Sequence, residues 1–412
     1  MAYINYNGKI LKYGNKISNS GESFVLKATG STFPSSIFPS GQLIFRFLSI
    51  EPVDVNYGDG SVIRYIPSSI GGGLYQLTFN IGVNLYTYAD GQNIARNVSF
   101  SFNRSKLTYL QLTNQKLQIA DFLFEFSKYP ALTHFELVNE SYILNLNAES
   151  IVGSNVTEFL IANAFVSSSR LYYIIPIQLF STPLVNLSIG TQGIHTKTFA
   201  ESNLDKMTML ATTLQILQIY GSFEDDNFGY GALPSNYNLL INLKELHLQA
   251  TKYTTTPVVI NEIISLKYLT IYGSPFYTSY GNISALVNLE NIRFTGNTSQ
   301  PDTIPSYFSA FTKLKTMQYI SCFTTQARMD NFVDNVYSFV VTNAPITGTF
   351  ASQFRSMSFS LGTSGSIVTP PPSGIYQQPS GYIQGSNNGS PASQKEKIWV
   401  MVSQYSHTWT TN

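Results

Sequence analysis

The fold class that the sequence predicts is a β-rich α/β solenoid, with a β-sandwich-like domain before it and a short β-tail after it. Three observations predict it. An apolar pattern recurs at near-regular intervals through the middle of the 412 residues. Charged residues are only 11% and aromatic residues 14%, whereas about 25% charged is usual in globular chains. The two ends of the chain lack the recurring pattern and carry Pro and Gly clusters instead.

Residues 1–104 read as an N-terminal β-domain. Strand-like alternation there is interrupted by clusters such as Phe33-Pro34-Ser35-Ser36 and Gly71-Gly72-Gly73, which mark turns between short strands. One stretch, Val53-Asp54-Val55-Asn56-Tyr57-Gly58-Asp59-Gly60-Ser61, is an alternating strand running into a Gly-Asp-Gly turn. It resembles the corresponding strand and turn of polycystic-kidney-disease-type β-sandwich domains, which implies a PKD-like domain here. The oxygen donors Asp54, Asn56 and Asp59 also suggest a calcium loop, but the spacing disagrees. Counted from Asp54, the positions where an EF-hand needs Gly and Glu hold Asp59 and Tyr65.

Residues 105–361 carry the repeat. The pattern apolar-x-x-apolar-x-apolar starts at Leu107, Leu132, Val156, Leu184, Leu214, Leu243, Leu266, Leu289 and Leu314. Successive starts lie 23 to 30 residues apart. Weaker copies follow at Val336 with Phe339 and Val341, and at Phe354 with Met357 and Phe359. One such segment cannot bury its own apolar side chains, so the copies must stack. The clearest copies, Leu107-Thr-Tyr-Leu110-Gln-Leu112-Thr-Asn114 and Leu266-Lys-Tyr-Leu269-Thr-Ile271, resemble the leucine-rich-repeat superfamily. That resemblance implies a short parallel strand at each apolar-x-apolar pair and a turn after it. The turn position holds Asn114, Asn139 and Asn163, then Gly221, Gly273 and Gly296, residues that bend the chain by side-chain bonding or by backbone freedom. Stretches such as Ile119 to Tyr129 and Tyr307 to Thr312 are expected to form the convex side as short helices or irregular turns.

Residues 362–391 are rich in Gly, Pro, Ser and Asn around Thr369-Pro370-Pro371-Pro372, the composition of an extended linker. Residues 392–412 are expected as a β-tail, with one strand over Lys395 to Val402 and a second over Tyr405 to Trp409. Gly374-Ile375-Tyr376-Gln377, Ser390-Pro391-Ala392-Ser393 and the terminal Trp-containing strand, with the opening Met1-Ala2-Tyr3-Ile4-Asn5-Tyr6, resemble tails of structural and fibre proteins of phages that infect Bacteroidetes.

Several chemistries are excluded or left without support. The single cysteine, Cys322, forms no intramolecular disulfide, and the four histidines, His134, His195, His247 and His407, show no metal-ligand spacing. No metal and no cofactor is expected. The acidic run Glu224-Asp225-Asp226 reads as a solvated loop, and no nucleophile elbow or phosphate loop occurs, so no enzyme is expected. With 24 Lys+Arg against 23 Asp+Glu and no basic run, nucleic acid is not an expected partner. The most apolar stretch, Leu171 to Phe180, is interrupted by Pro176 and falls short of the ~20 residues of a membrane span. The N-terminus shows no basic-then-apolar leader.

The residues between the inward apolar positions of a leucine-rich repeat line its concave face, so equivalent positions form rows about 4.7 to 4.9 Å apart. In the central repeats the rows read Gln218, His247, Thr270 and Arg293, then Tyr220, Gln249, Tyr272 and Thr295, flanked by Lys244, Glu245, Lys267, Tyr268, Glu290 and Asn291. Tyr mixed with hydrogen-bonding side chains suits a glycan or a polar protein loop. The expectation is therefore a virion component, a head-fibre or tail-fibre protein, whose partners are other virion proteins and a host surface glycan or protein. A bacterial cell-surface adhesin is the alternative, and a glycan-active enzyme on a repeat scaffold the third. The fibre resemblance implies a homo-oligomer, with a trimer as the family-level expectation.

Overall fold

In a computed structural model the chain divides into two compact units, Met1–His195 with Ala200–Leu214, and Thr196–Phe199 with Gln215–Asn412. The structure describes residues 2–6, 9–13, 24–26, 42–57, 61–80, 98–115, 126–140, 151–162, 177–190, 203–220, 233–249, 253–273, 277–299, 301–323, 325–343, 358–363, 377–382 and 391–411. The Gly58-Asp59-Gly60 turn, the Glu224-Asp225-Asp226 run and the Thr369–Pro372 centre of the expected linker lie outside the described residues.

Among its described residues the first unit contains thirteen strands: β1 (Ala2–Tyr6), β2 (Lys9–Tyr13), β3 (Phe24–Leu26), β4 (Gln42–Phe47), β5 (Val53–Asn56), β6 (Val62–Tyr65), β7 (Ser68–Gly71), β8 (Leu74–Asn80), β9 (Val98–Ser101), β10 (Leu107–Gln115), β11 (His134–Glu140), β12 (Glu158–Ala162) and β13 (Asn186–Gly190). Six of them form one sheet in the order β1-β2-β6-β5-β9-β3. The other seven run β7-β8-β4-β10-β11-β12-β13, antiparallel up to the β4–β10 pair and parallel from β10 onward. N-terminal strands and repeat strands thus share a sheet. Phe45 of β4 joins the two sheets through a ring contact with Phe100 of β9 at 5.3 Å, and Phe79 of its own sheet packs on it at 6.3 Å. On β5, Asp54 accepts two hydrogen bonds from Arg64 at 2.6 and 2.7 Å, so its carboxylate closes the β5–β6 hairpin.

The second unit contains β14 (Ile216–Tyr220), β15 (Glu245–Gln249), β16 (Tyr268–Tyr272), β17 (Asn291–Thr295), β18 (Thr316–Phe323), α1 (Gln326–Asn343), β19 (Ser358–Thr363), α2 (Gln394–Tyr405) and β20 (Thr408–Thr411). The strands pair in parallel in chain order. Their register places Leu217, Leu246, Leu269, Ile292 and Met317 in one row and Ile219, Leu248, Ile271, Phe294 and Tyr319 in the next. All ten side chains are buried. Each contributes roughly 1.5 to 3 kcal/mol relative to exposure, and the row geometry makes every strand depend on its neighbours.

A cascade of short turns closes the repeats on the side away from the strands. In three of them a proline precedes a 3-10 segment, at Pro234, Pro257 and Pro305. The proline carbonyl accepts from Tyr237, Ile260 and Phe308 respectively, each at 3.0 Å. The next bonds run from Leu240, Ile263 and Phe311, and then from Leu243, Leu266 and Leu314, all at 3.0 Å. Proline fits this start because its φ is already helical and no partner is needed for the N–H it lacks. Every third residue after it points inward: Tyr237, Leu240, Ile260, Ile263, Phe308 and Phe311 are all buried.

Three expectations change. Residues 336–341, read as a weak repeat, lie inside α1, where Met329, Phe332, Val333, Val336 and Val340 are buried. That spacing follows the 3.6-residue period of a helix. The last copy, read with Met357 and Phe359 as its strand pair, is shifted by two, since Phe359 pairs with Met317 and Leu361 with Tyr319. Residues 394–405, expected in part as the first strand of a β-tail, form α2, which opens with a capping box between Ser393 and Glu396. Only Thr408–Thr411 is a strand, and it pairs in parallel with β19 as a further rung of the ladder. Helices α1 and α2 pack together through Asp334, which accepts from Lys397 at 2.7 Å and Gln394 at 3.2 Å.

Candidate functional site

The outward positions of β14 to β18 build the expected face. Register brings Gln218, His247, Thr270, Arg293 and Gln318 into one row, and Tyr220, Gln249, Tyr272, Thr295 and Ile320 into the next. A third row holds Ile216, Glu245, Tyr268, Asn291 and Thr316. The order read from the sequence is the order in space. Gln218, His247, Gln249, Tyr268, Thr270 and Tyr272 are half-buried, and Lys244 and Arg293 are exposed. For Tyr220 the strand position is described and the side chain lies outside the described residues. Thr295, a member of the expected rows, is buried and holds Arg293 in place by accepting from its Nε at 3.2 Å.

At the centre, Thr270 is the smallest side chain of its row. Tyr268 and Tyr272 stand two residues away along the same strand, and His247 and Arg293 lie on the adjacent strands. The result is a shallow floor framed by two phenols, an imidazole and a guanidinium. His247 Nε2 lies 3.5 Å from Glu245 Oε2. Burial pushes the His247 pKa down and the Arg293 charge adds to this, against the opposing pull of Glu245, so the ring is neutral at neutral pH. Arg293 forms no ion pair among the described residues, and its Nε donates to Thr295.

A further row runs just before the strands. Lys244 donates to Gln215 Oε1 at 2.6 Å, and Glu290 is bracketed by Lys315 at 2.8 Å and Lys267 at 3.0 Å. Hydrogen bonds from Lys315 and Lys267 hold the Glu290 carboxyl below its ordinary range. Exposed pairs of this kind add little stability, but they occupy Glu290 and leave it unavailable to Arg293.

Sequence reasoning missed a second polar array, on the first unit. Gln76, Arg46, Tyr109, His134, Glu158 and Asn186 form a single row across β8, β4, β10, β11, β12 and β13. The Arg46 guanidinium lies 4.1 Å from the Tyr109 ring centre, and the His134 ring stacks on Tyr109 at 4.3 Å with 18° between planes. Arg46 Nε donates to Gln76 Oε1 at 2.9 Å. Two glutamates close the array: His134 Nδ1 is 2.9 Å from Glu158 Oε2, and Nε2 is 3.3 Å from Glu136 Oε2. Gln111 Nε2 donates to Glu136 Oε1 at 3.1 Å, and the Tyr109 hydroxyl lies 3.0 Å from Glu136 Oε2. Burial opposes the Glu136 charge, yet the hydrogen bonds of His134, Tyr109 and Gln111 together with the His134 charge outweigh it and hold the pKa below its ordinary value. Burial and Glu136 push the Tyr109 phenol well above its own. The missed signal is the residue two after each repeat start: Leu107 to Tyr109, Leu132 to His134, Val156 to Glu158.

Among the described residues no group of three or more His, Cys, Asp or Glu could hold a metal ion. Cys322 is buried and its thiol is pushed up to about 12 by burial, a setting in which it is unreactive. No described helix is long and apolar enough to cross a membrane.

The chain has the architecture of a leucine-rich-repeat-like solenoid protein, with short parallel strands, buried apolar rows and a polar outward face. No family model and no curated protein sequence matches it. Among solved structures it is similar to the functional domain of InlJ from Listeria monocytogenes, described as including a cysteine ladder. Identity there is 14% and the TM-score 0.30, over 56% of this chain and 52% of that one, so the chain spans about half the length of that structure. It is also similar to an internalin, inlF, of the same organism, at 11% identity and TM-score 0.32, over 64% of this chain and 82% of that one. The repeat fold rests on the strand register and the buried rows.

Proposed function

We propose that this chain is a non-enzymatic recognition protein that binds a polar partner, a glycan or a protein loop, on the outward rows of β14 to β18. The observation that carries the reading is the registration of Gln218, His247, Thr270 and Arg293 in one row beside Gln249 and Tyr272. Such a row turns single side chains into a repeating surface. Its natural setting is a phage virion, as a head-fibre or tail-fibre component. There the N-terminal PKD-like region or the C-terminal segment anchors the chain to other virion proteins, and the repeats face the host. A homotrimer is the assembly that goes with this setting.

Two measurements test the reading. Mass spectrometry of purified particles should find the polypeptide in the virion; its absence there returns the chain to a cell surface. The double variant Tyr220→Ala with Tyr272→Ala should adsorb less to host cells while folding and assembling normally. Unchanged adsorption moves recognition away from this face.

A further inference from the structure

We infer that the partner of this face is an acidic polysaccharide whose carboxylates are held by Arg293; the inference rests on the reading of the face given above. Charge carries it. Lys244, Lys267, Lys315 and Arg293 stand on or beside the rows, with Glu245 and Glu290 as the acidic groups among them. Glu290 is engaged by Lys267 and Lys315, and Glu245 faces His247. Arg293 is exposed, anchored at Nε by Thr295, and without a carboxylate among the described residues, whereas the exposed Lys244 is engaged by the Gln215 amide. A guanidinium fixed at one nitrogen presents its remaining N–H groups as a ready fork for a planar carboxylate.

The form of the face selects a polysaccharide over an acidic peptide. Strands β15, β16 and β17 are paired on both sides, so they offer no free edge for an added strand. The outward positions of β16 are half-buried Tyr, Thr and Tyr, not an apolar groove for a helix. What they do offer is two aromatic faces, Tyr268 and Tyr272, four residues apart on β16, with amides and hydroxyls beside them on strands that repeat every ~4.8 Å. That period is close to the rise per sugar of an extended polysaccharide. Tyr268 and Tyr272 supply stacking surfaces for sugar rings, Gln218, Gln249 and Asn291 supply hydrogen bonds, and the floor at Thr270 leaves room for a carboxylate to approach Arg293 from the adjacent strand.

The test compares polygalacturonate, its methyl-esterified form and poly-glutamate as probes of the full chain by biolayer interferometry. Polygalacturonate should bind, and esterification should weaken binding about tenfold or more, the scale of one charge-assisted contact. Arg293→Gln should cause a similar loss and Arg293→Lys a smaller one, with melting temperatures unchanged because the side chain is exposed. Absence of polygalacturonate binding, equal binding of acid and ester, or indifference to Arg293→Gln overturns the inference. Poly-glutamate binding with the same dependence on Arg293 overturns it in favour of an acidic protein partner. Ester binding that is insensitive to Arg293→Gln but lost in Tyr268→Ala with Tyr272→Ala sinks the acidic ligand and leaves the face reading standing. Polymer binding unaffected by that tyrosine pair and by Arg293→Gln sinks both.

Discussion

The outward faces of the two units are built on the same kind of buried ladder but use their polar groups in opposite ways. On the first unit, Arg46, Tyr109, Gln111, His134, Glu136 and Glu158 bond to one another, so donors and acceptors are consumed within the protein. On the second, Thr270 lies between His247 and Arg293 with a guanidinium that has no carboxylate among the described residues. A self-satisfied array rigidifies a sheet; a guanidinium with no carboxylate partner among the described residues is available to a ligand. Outward polarity alone therefore does not mark a binding face, and the hydrogen-bond accounting does.

The largest effect should come from breaking the ladder that the second face rests on. Leu246 is fully buried between Leu217 and Leu269, and Leu246→Asp places an unpaired charge there. The cost is on the order of 4 kcal/mol or more, and the second unit should lose cooperative melting in calorimetry. A modest shift would mean that the buried rows are not continuous. The next effect separates the faces. Glu136→Ala strands the donors of Tyr109, Gln111 and His134, which should cost about 1 to 3 kcal/mol, whereas Arg293→Gln should stay within about 0.5 kcal/mol. Equal costs in denaturant titrations would erase the distinction between a structural array and an open one.

Legibility in the sequence followed the range of the interactions. The apolar rows and the outward rows of β14 to β18 were readable because each is fixed by spacing within one repeat: Leu243-x-x-Leu246-x-Leu248 states its own register. The same rule, applied to Tyr109, His134 and Glu158, would have found half of the first unit's array. Arg46 and Gln76 were not readable, since they reach Tyr109 only through antiparallel pairing of β4 with β10 and β8, a contact between segments far apart in the chain. Helix α2 was misread because Ile398 to Val402 is apolar throughout and fits either period, although Ser393-x-x-Glu396 is a capping-box signature. The proline that opens three repeats, at Pro234, Pro257 and Pro305, was also present as a regular signal, three residues before a buried Tyr237, Ile260 or Phe308.

A smaller effect follows from pH. The folded pKa of Glu136 lies below its ordinary value, so the unfolded chain takes up the proton first as pH falls. The stabilisation from this group is complete above the ordinary glutamate range and is lost as pH drops through the folded pKa. Melting of the first unit should therefore weaken as pH falls through and below the ordinary glutamate range, and part of that slope should vanish in Glu136→Gln. An identical slope in the variant would place the acid sensitivity elsewhere. The second face offers a control, since Glu290 is also depressed but lies at the surface, where salt screens its pairs. Added salt should flatten its contribution and leave that of Glu136 largely intact.

The smallest effect on stability should coincide with a large effect on binding. Thr270 is the cross-strand partner of Arg293 and points outward, so Thr270→Asp sets a carboxylate beside the guanidinium without touching the buried rows. Opposite charges on adjacent strands contribute about 0.2 to 1 kcal/mol, which offsets the loss of the threonine's β-preference. The melting temperature should hardly move, in contrast to Leu246→Asp twenty-four residues earlier on the neighbouring strand. The new carboxylate nevertheless occupies the fork that an acidic ligand would need and repels that ligand's charge. Thr270→Asp should thus lose polygalacturonate binding as fully as Arg293→Gln while Thr270→Asn retains most of it. If Thr270→Asp melts far below the parent protein, the position is inward and the face is assigned to the wrong side of the strand. If it melts normally and still binds the acid, the ligand does not meet Arg293.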